Sequence, residues 1–215
     1  MTSVLEPPTA TESGADFVLL RNISWSTYES LLKDQTDTPN PRLTYDRGDL
    51  LIMVASPEHE QINDSIKLLI SLIAEALGIE HRGFGSTTYK RRDLRRGFEP
   101  DSCFYFRNEG LVRGKKRLDL SIDPPPDLVV EIDISRSSLN KFPLFAAFGV
   151  PEIWRFDGLK AQFHVLEKDE YHERATSLAL PRVTAETVTE FVGDSLKIGR
   201  LEWLEKVRHW TSALD

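Results

Sequence analysis

Two carboxylates carry the chemistry this sequence can offer. Asp101 opens an apolar stretch immediately after Pro100, and Glu131 lies inside a β-branched run, Leu-Val-Val-Glu-Ile, some thirty residues later. If the two segments are neighbouring strands, both acids can face one cation. Two carboxylates about 4 Å apart repel by roughly 4 kcal/mol at an effective dielectric of 20, and a divalent ion reverses the sign. A donor set made only of oxygen points to Mg2+ or Mn2+ rather than zinc. Such an ion activates water and steadies a phosphoryl transition state. Asp127, four residues before Glu131, sits about 13 Å away along an extended chain and is too far to share the ion. It is expected to anchor a strand start or a loop.

The elements that must position these acids can be read from pattern. Side chains alternate along a strand, so Asp127, Val129, Glu131 and Asp133 share one face and Leu128, Val130, Ile132 and Ile134 the other. The segment is too apolar for a surface strand, and the helix expected after it, from about Asn140 to Phe148, should cover the sheet. Pro143 fits only a first turn. Ser56-Pro57-Glu58 is a helix start, with an N-cap, a proline at the first position and an acid at the positive dipole end. Ile62, Ile66, Leu69, Ile70, Ile73 and Leu77 continue it as an apolar stripe that ends at Gly78. Glu58 and His59 can lean toward the core-facing side, or serve the dipole and pack at the helix end. Further strands are expected at 17–20, 43–45, 50–55, 84–89, 102–106, 152–156, 161–166 and 171–175, with a basic turn at 90–97. Helices are expected near residues 24–33, from Thr184, and over 201–210.

Composition narrows the class. The chain has 215 residues, 40% hydrophobic and 28% charged, which suits a globular protein with a substantial core. It is expected to form one domain over 17–215 behind a disordered tail at 1–16. One cysteine, Cys103, excludes a disulfide framework and zinc spacing. No apolar run approaches the roughly 20 residues of a membrane span, and the first residues lack the pattern of a signal peptide, so a cytoplasmic location is expected. Net charge is −7 but unevenly spread. Between Glu80 and Leu120 eleven bases stand against six acids, a local +5 on a remainder of −12. A basic lobe on an acidic protein fits a polyanion held locally; a solvated loop face would look the same.

Several segments together resemble the Uma-two family of the PD-(D/E)XK nuclease superfamily. They are Glu99-Pro100-Asp101-Ser102, then Pro126-Asp127-Leu128-Val129-Val130-Glu131-Ile132, then Lys141 and Gly149-Val150-Pro151-Glu152-Ile153-Trp154. The resemblance implies a restriction-endonuclease-like α/β fold, a central mixed sheet flanked by helices. It implies a metal-dependent endonuclease acting on nucleic acid, DNA first, with Asp101, Glu131 and Lys141 as the catalytic set. Asp101, Glu131 and the carbonyl of Ile132 would bind Mg2+ or Mn2+, with Glu58 as a further ligand from the first helix. The superfamily pattern has lysine two residues after Glu131, where this chain has Asp133, and Lys141 is the candidate for a migrated lysine. A catalytically silent nucleic-acid-binding or scaffold protein on the same fold is the alternative. The oligomeric state, a homodimer included, is left open.

Overall fold

The computed structural model describes residues 16–35, 41–134 and 139–214. The expected tail up to residue 15 lies outside the described residues. Asp16 is not part of a tail but the first residue of a strand.

Two sheets make the frame. The first contains β1 (Asp16–Leu20), β2 (Arg42–Asp46) and β3 (Asp49–Val54), the last two forming a hairpin that turns at Arg47-Gly48. Helix α1 (Trp25–Asp34), capped by Ser24, precedes that hairpin and lays Trp25 and Tyr28 on Leu43, Tyr45 and Leu50. Helix α2 (Pro57–Ala76) follows it, with Ser56 accepting from the His59 N–H at 3.2 Å. A two-residue strand β4 (Arg82–Gly83) comes next, then β5 (Tyr89–Arg91) and β6 (Arg96–Phe98). These last two replace the strand expected at 84–89 and the basic turn at 90–97. Buried Tyr89 and Phe98, ring centroids 5.2 Å apart, anchor a hairpin whose corner Arg95 turns with φ 51°. The first sheet is antiparallel throughout, in the order β1-β3-β2-β6-β5.

The second sheet takes β7 (Ser102–Tyr105), β8 (Leu128–Ile132), β9 (Glu152–Phe156), β10 (Ala161–Glu167) and β11 (Glu170–Arg174), with β4 at its far edge. A short helix α3 (Glu109–Val112) interrupts the connection between β7 and β8. Helix α4 (Phe142–Phe148) links β8 to β9, the parallel pair of an otherwise antiparallel sheet. Gly149 closes α4 with φ 72°, a left-handed stop that glycine adopts without penalty. The chain ends in α5 (Ala185–Ser195) and α6 (Arg200–Thr211).

Strand β8 is buried on both sides, as its composition requires. Leu128, Val130 and Ile132 enter the cluster built with α2, α5 and α6, while Val129 packs with Leu144, Phe145 and Phe148 of α4. Glu131 alternates with the first set and therefore faces α4. The chain passes from β6 to β7 through Glu99, Pro100 and Asp101, so Asp101 stands where one sheet hands over to the other. Glu99 latches this crossing by accepting from the Leu43 N–H at 2.8 Å. Asp127 accepts from the backbone N–H groups of Phe106 and Asn108, the loop-anchoring role its spacing suggested.

Gly97 in β6 lies against Tyr28, and a Cβ there would run into the Tyr28 hydroxyl. Tyr28 cannot yield easily, because it is fully buried and stacked on Tyr45 at 4.9 Å. Gly97→Ala is expected to lower unfolding free energy by about 1–3 kcal/mol, the usual range for overpacking. Urea denaturation checks this, and a midpoint equal to wild type would show that the α1 contact gives way.

Candidate active site

Antiparallel pairing sets Ser102 against Val130, and the register continued by one residue brings Asp101 opposite Glu131. The two acids singled out in the sequence are therefore neighbours, and both are buried. Asp101 Oδ2 accepts from the Ile132 N–H at 2.7 Å, and Oδ1 from Arg42 Nη1 at 2.7 Å. His59 Nε2 stands 3.1 Å from Oδ2, in ionic reach though off the line of a hydrogen bond. Asn63 donates to the Asp101 carbonyl at 3.1 Å and accepts from Ser102 Oγ at 2.7 Å. Arg42 also reaches Glu60 at 2.6 Å.

Lys141 comes from the turn before α4 and donates to Glu131 Oε2 at 2.5 Å. It thus reaches one member of the acid pair. The other oxygen of Glu131, Oε1, is buried without a hydrogen-bond partner among the described residues. Asp133 binds Arg155 Nε at 2.8 Å. A cleft of about 260 Å³ opens over Glu131, Asp133, Lys141, Phe142 and Arg155.

Glu58 is not brought to this group. It is exposed on the first turn of α2 and makes no hydrogen bond or ion pair to the acids among the described residues. His59 and Asn63, one helical turn apart, take the buried face instead. Ile132 contributes its N–H to Asp101. Among the described residues no three His, Cys, Asp or Glu side chains converge as a metal cage. Two buried carboxylates with one unpartnered oxygen still fit a magnesium-type ion, which keeps several waters and asks for one or two protein carboxylates.

Sequence reasoning passed over Arg42, Glu60, Asn63 and Arg155. Their signals were an arginine opening an apolar strand, an Asn one turn after His59, and an arginine in the apolar run Ile153-Trp154-Arg155-Phe156. The basic lobe also changes. Arg91 pairs with Asp93, Arg96 with Asp46 and Lys90 with Glu29, whereas Arg92 and Arg95 are exposed with no ion pair among the described residues.

Uma2, the family described as "Putative restriction endonuclease", matches residues 25–197. The chain belongs to the Uma2 family. A solved structure titled "Crystal structure of a putative nuclease belonging to DUF820", from Anabaena variabilis, is similar at 13% identity. The likeness covers 79% of this chain and 99% of that one, with a TM-score of 0.49. No curated protein matches the chain. No helix among the described residues is long and apolar enough to cross a membrane.

The electrostatics separate the two acids. Burial alone would raise Asp101, but His59, Lys141 and Arg42 outweigh it and hold the carboxyl below the ordinary range. Burial raises Glu131 to about 7, with Lys141 pulling down and Asp101 pushing up. Lys141 is held above its ordinary value because Glu131, Asp101 and Asp133 outweigh its own burial.

A pH dependence follows. An acid whose folded pKa lies above its unfolded value stabilises the fold at low pH, and the contribution fades as pH climbs through the folded pKa. For Glu131 that window runs from about 4.5 to about 7. Asp101 acts only below its ordinary 3.8 and Lys141 only above its ordinary 10.5, so neither intrudes. Relative to Glu131→Gln, metal-free wild type should lose on the order of a few kcal/mol between pH 5 and pH 8. Thermal melts across that range test it; a constant offset between the two proteins would show that Glu131 does not titrate there.

Proposed function

We propose that the protein is a Mg2+- or Mn2+-dependent endonuclease that hydrolyses phosphodiester bonds of nucleic acid, DNA first. Membership of the Uma2 family supports the reaction class. The observation that carries the rest is Glu131 Oε1, a buried carboxylate oxygen without a partner among the described residues, beside a second buried acid. Leaving such an atom unpaired is costly unless a cation completes it.

Asp101, Glu131 and the carbonyl of Ile132 would hold the ion, and Glu58 is too exposed to join them. A bound Mg2+ or Mn2+ supplies Lewis acidity and a lowered pKa for coordinated water. The residues do the rest by position. In hydrolysis a bond forms from water oxygen to phosphorus and the bond to a sugar oxygen breaks, with negative charge gathering on the phosphate oxygens. Lys141 has three N–H donors and spends one on Glu131, which leaves donors for a phosphate oxygen or the attacking water. Its 14% side-chain exposure makes that charge worth more than a solvated lysine's. Arg42 and the Ile132 N–H keep Asp101 ionised and fixed.

One observation favours a silent binding protein instead. Both Asp101 oxygens are already engaged, by Arg42 on one side and by the Ile132 N–H and His59 on the other. Incubating the protein with single- and double-stranded DNA and RNA in Mg2+, Mn2+ or EDTA separates the two readings. Metal-dependent cleavage is expected, lost in Glu131→Gln and lowered about a hundredfold or more in Lys141→Met, as for loss of a transition-state electrostatic contact. Binding without cleavage in either metal would establish the silent reading.

The exposed tips Arg92 and Arg95 are the phosphate contacts of the β5–β6 hairpin on this reading. Each phosphate neutralised on a duplex contributes about 0.9 to the slope of log affinity against log salt. Neutralising both should therefore flatten that slope by about two. Arg91→Gln with Arg96→Gln should do less, since Asp93 and Asp46 already hold those side chains. Equal slopes in the Arg92, Arg95 double variant and wild type would make the hairpin tip a solvated surface.

A further inference from the structure

We infer that Arg155 is a phosphate-binding cation of the cleft, and that Asp133 stands two residues after Glu131 in order to hold it. The inference rests on the phosphodiester reading above and names a group which that reading does not use.

Arg155 is placed by the sheet. In the parallel pairing of β8 and β9 it is the Cα partner of Glu131, so the two side chains leave the same face side by side. Both line the 260 Å³ cleft with Lys141. The guanidinium is clamped from two directions. Asp133 Oδ2 accepts from Nε at 2.8 Å, and Gln162 Oε1 on β10 accepts from Nη1 at 3.3 Å. Asp133 is itself pinned to β9, its N–H donating to the Phe156 carbonyl at 2.7 Å. An arginine carries five N–H donors in a rigid fork. These two contacts use two, leaving both Nη2 hydrogens and one on Nη1. The side chain is 36% exposed and lines the cleft. A planar fork with paired free donors suits two oxygens of one phosphate.

An ordinary surface ion pair would also put Arg and Asp together and contributes almost nothing. The position of Asp133 argues against that. An uncompensated acid beside Asp101 and Glu131 adds negative charge where a phosphate must arrive, and its field already pushes Glu131 upward. Paired with Arg155, the same acid neutralises itself and orients a cation toward the acids. Asp133 is then a positioning residue, and the arginine adds, from the neighbouring strand, a second cation to the one that Lys141 brings to Glu131.

The two accounts give opposite signs for one substitution. If Asp133 were merely a repulsive acid, Asp133→Asn would strengthen nucleic-acid binding and speed cleavage. On the proposal it loosens Arg155 and lowers kcat about tenfold with KM little changed, and has no effect in an Arg155→Met background. Arg155→Met should lower kcat about a hundredfold in Mg2+. In EDTA it should also flatten the salt dependence of binding to a 30-base-pair mixed-sequence duplex by about one. Arg155→Lys should restore the salt slope but only part of the rate, because the fork is gone. Thermal melts within a few degrees of wild type show that the fold is kept. Wild-type cleavage with Arg155→Met unchanged in both rate and salt slope would remove Arg155 alone. A rate increase in Asp133→Asn would overturn the positioning role. Wild type that neither binds nor cleaves the duplex would defeat the nuclease reading, and this inference with it.

Discussion

Everything near the cleft depends on keeping one carboxylate ionised where water does not reach. Asp101 is 2% exposed, and a buried carboxylate without full compensation is among the most expensive groups a fold can contain. The compensation comes from three different elements: Arg42 from β2, His59 from α2 and the Ile132 N–H from β8. The charge therefore acts as a fastener. It joins the antiparallel sheet to the mixed sheet at the point where the chain crosses between them, and it draws the first turn of α2 onto that seam. Removing one partner of such a buried pair typically costs about 3–5 kcal/mol, because the remaining charge stays buried. Asp101 is thus both a member of the site and a condition for the two sheets meeting as they do.

The neighbouring acid is treated differently, and the contrast gives the site its character. Asp101 has every oxygen engaged and its charge secured. Glu131 has one oxygen engaged by Lys141, one without a partner among the described residues, and a pKa raised by burial to about 7. Two carboxylates side by side in the register thus differ in protonation because their surroundings differ, a pattern common where acids do chemistry. The cationic side chains Arg42, Lys141 and Arg155 are spread around the acids rather than stacked on one of them.

Much of this was legible from residue order. The alternation in Leu128–Ile132 showed which side Glu131 would face, and Pro100-Asp101 before an apolar run located the second acid. Ser56-Pro57 fixed the start of α2, and Pro143 with Gly149 bounded α4. What escaped was long-range pairing. Arg42 and Asp101 are 59 residues apart, and no local pattern says that an arginine opening one hairpin will meet an aspartate opening a different strand. Glu58 and His59 were equivalent by spacing; burial of the α2 stripe separated them, turning His59 inward and leaving Glu58 in solvent. The hairpin at 89–98 hid because its strands are three residues each and the stretch from Lys90 to Gly97 carries five basic residues among eight, a composition that reads as a turn. Its formation depends on Tyr89 and Phe98 finding each other, a tertiary contact that overrides local propensity.

The crossover through α4 has a consequence for how the protein comes into being. Lys141 is carried by the connection between the parallel strands, and Arg155 by the strand that connection delivers. The cleft's groups are therefore strung along the chain from Arg42 to Arg155, and the last of them cannot take its place until β9 has paired with β8. During synthesis, at roughly 5–20 residues per second, that interval lasts on the order of ten seconds. Only over its last part, from Glu131 to Arg155, does the growing chain carry both acids without the partner strand beside Glu131. The cleft is thus completed only on a chain that has emerged past β9.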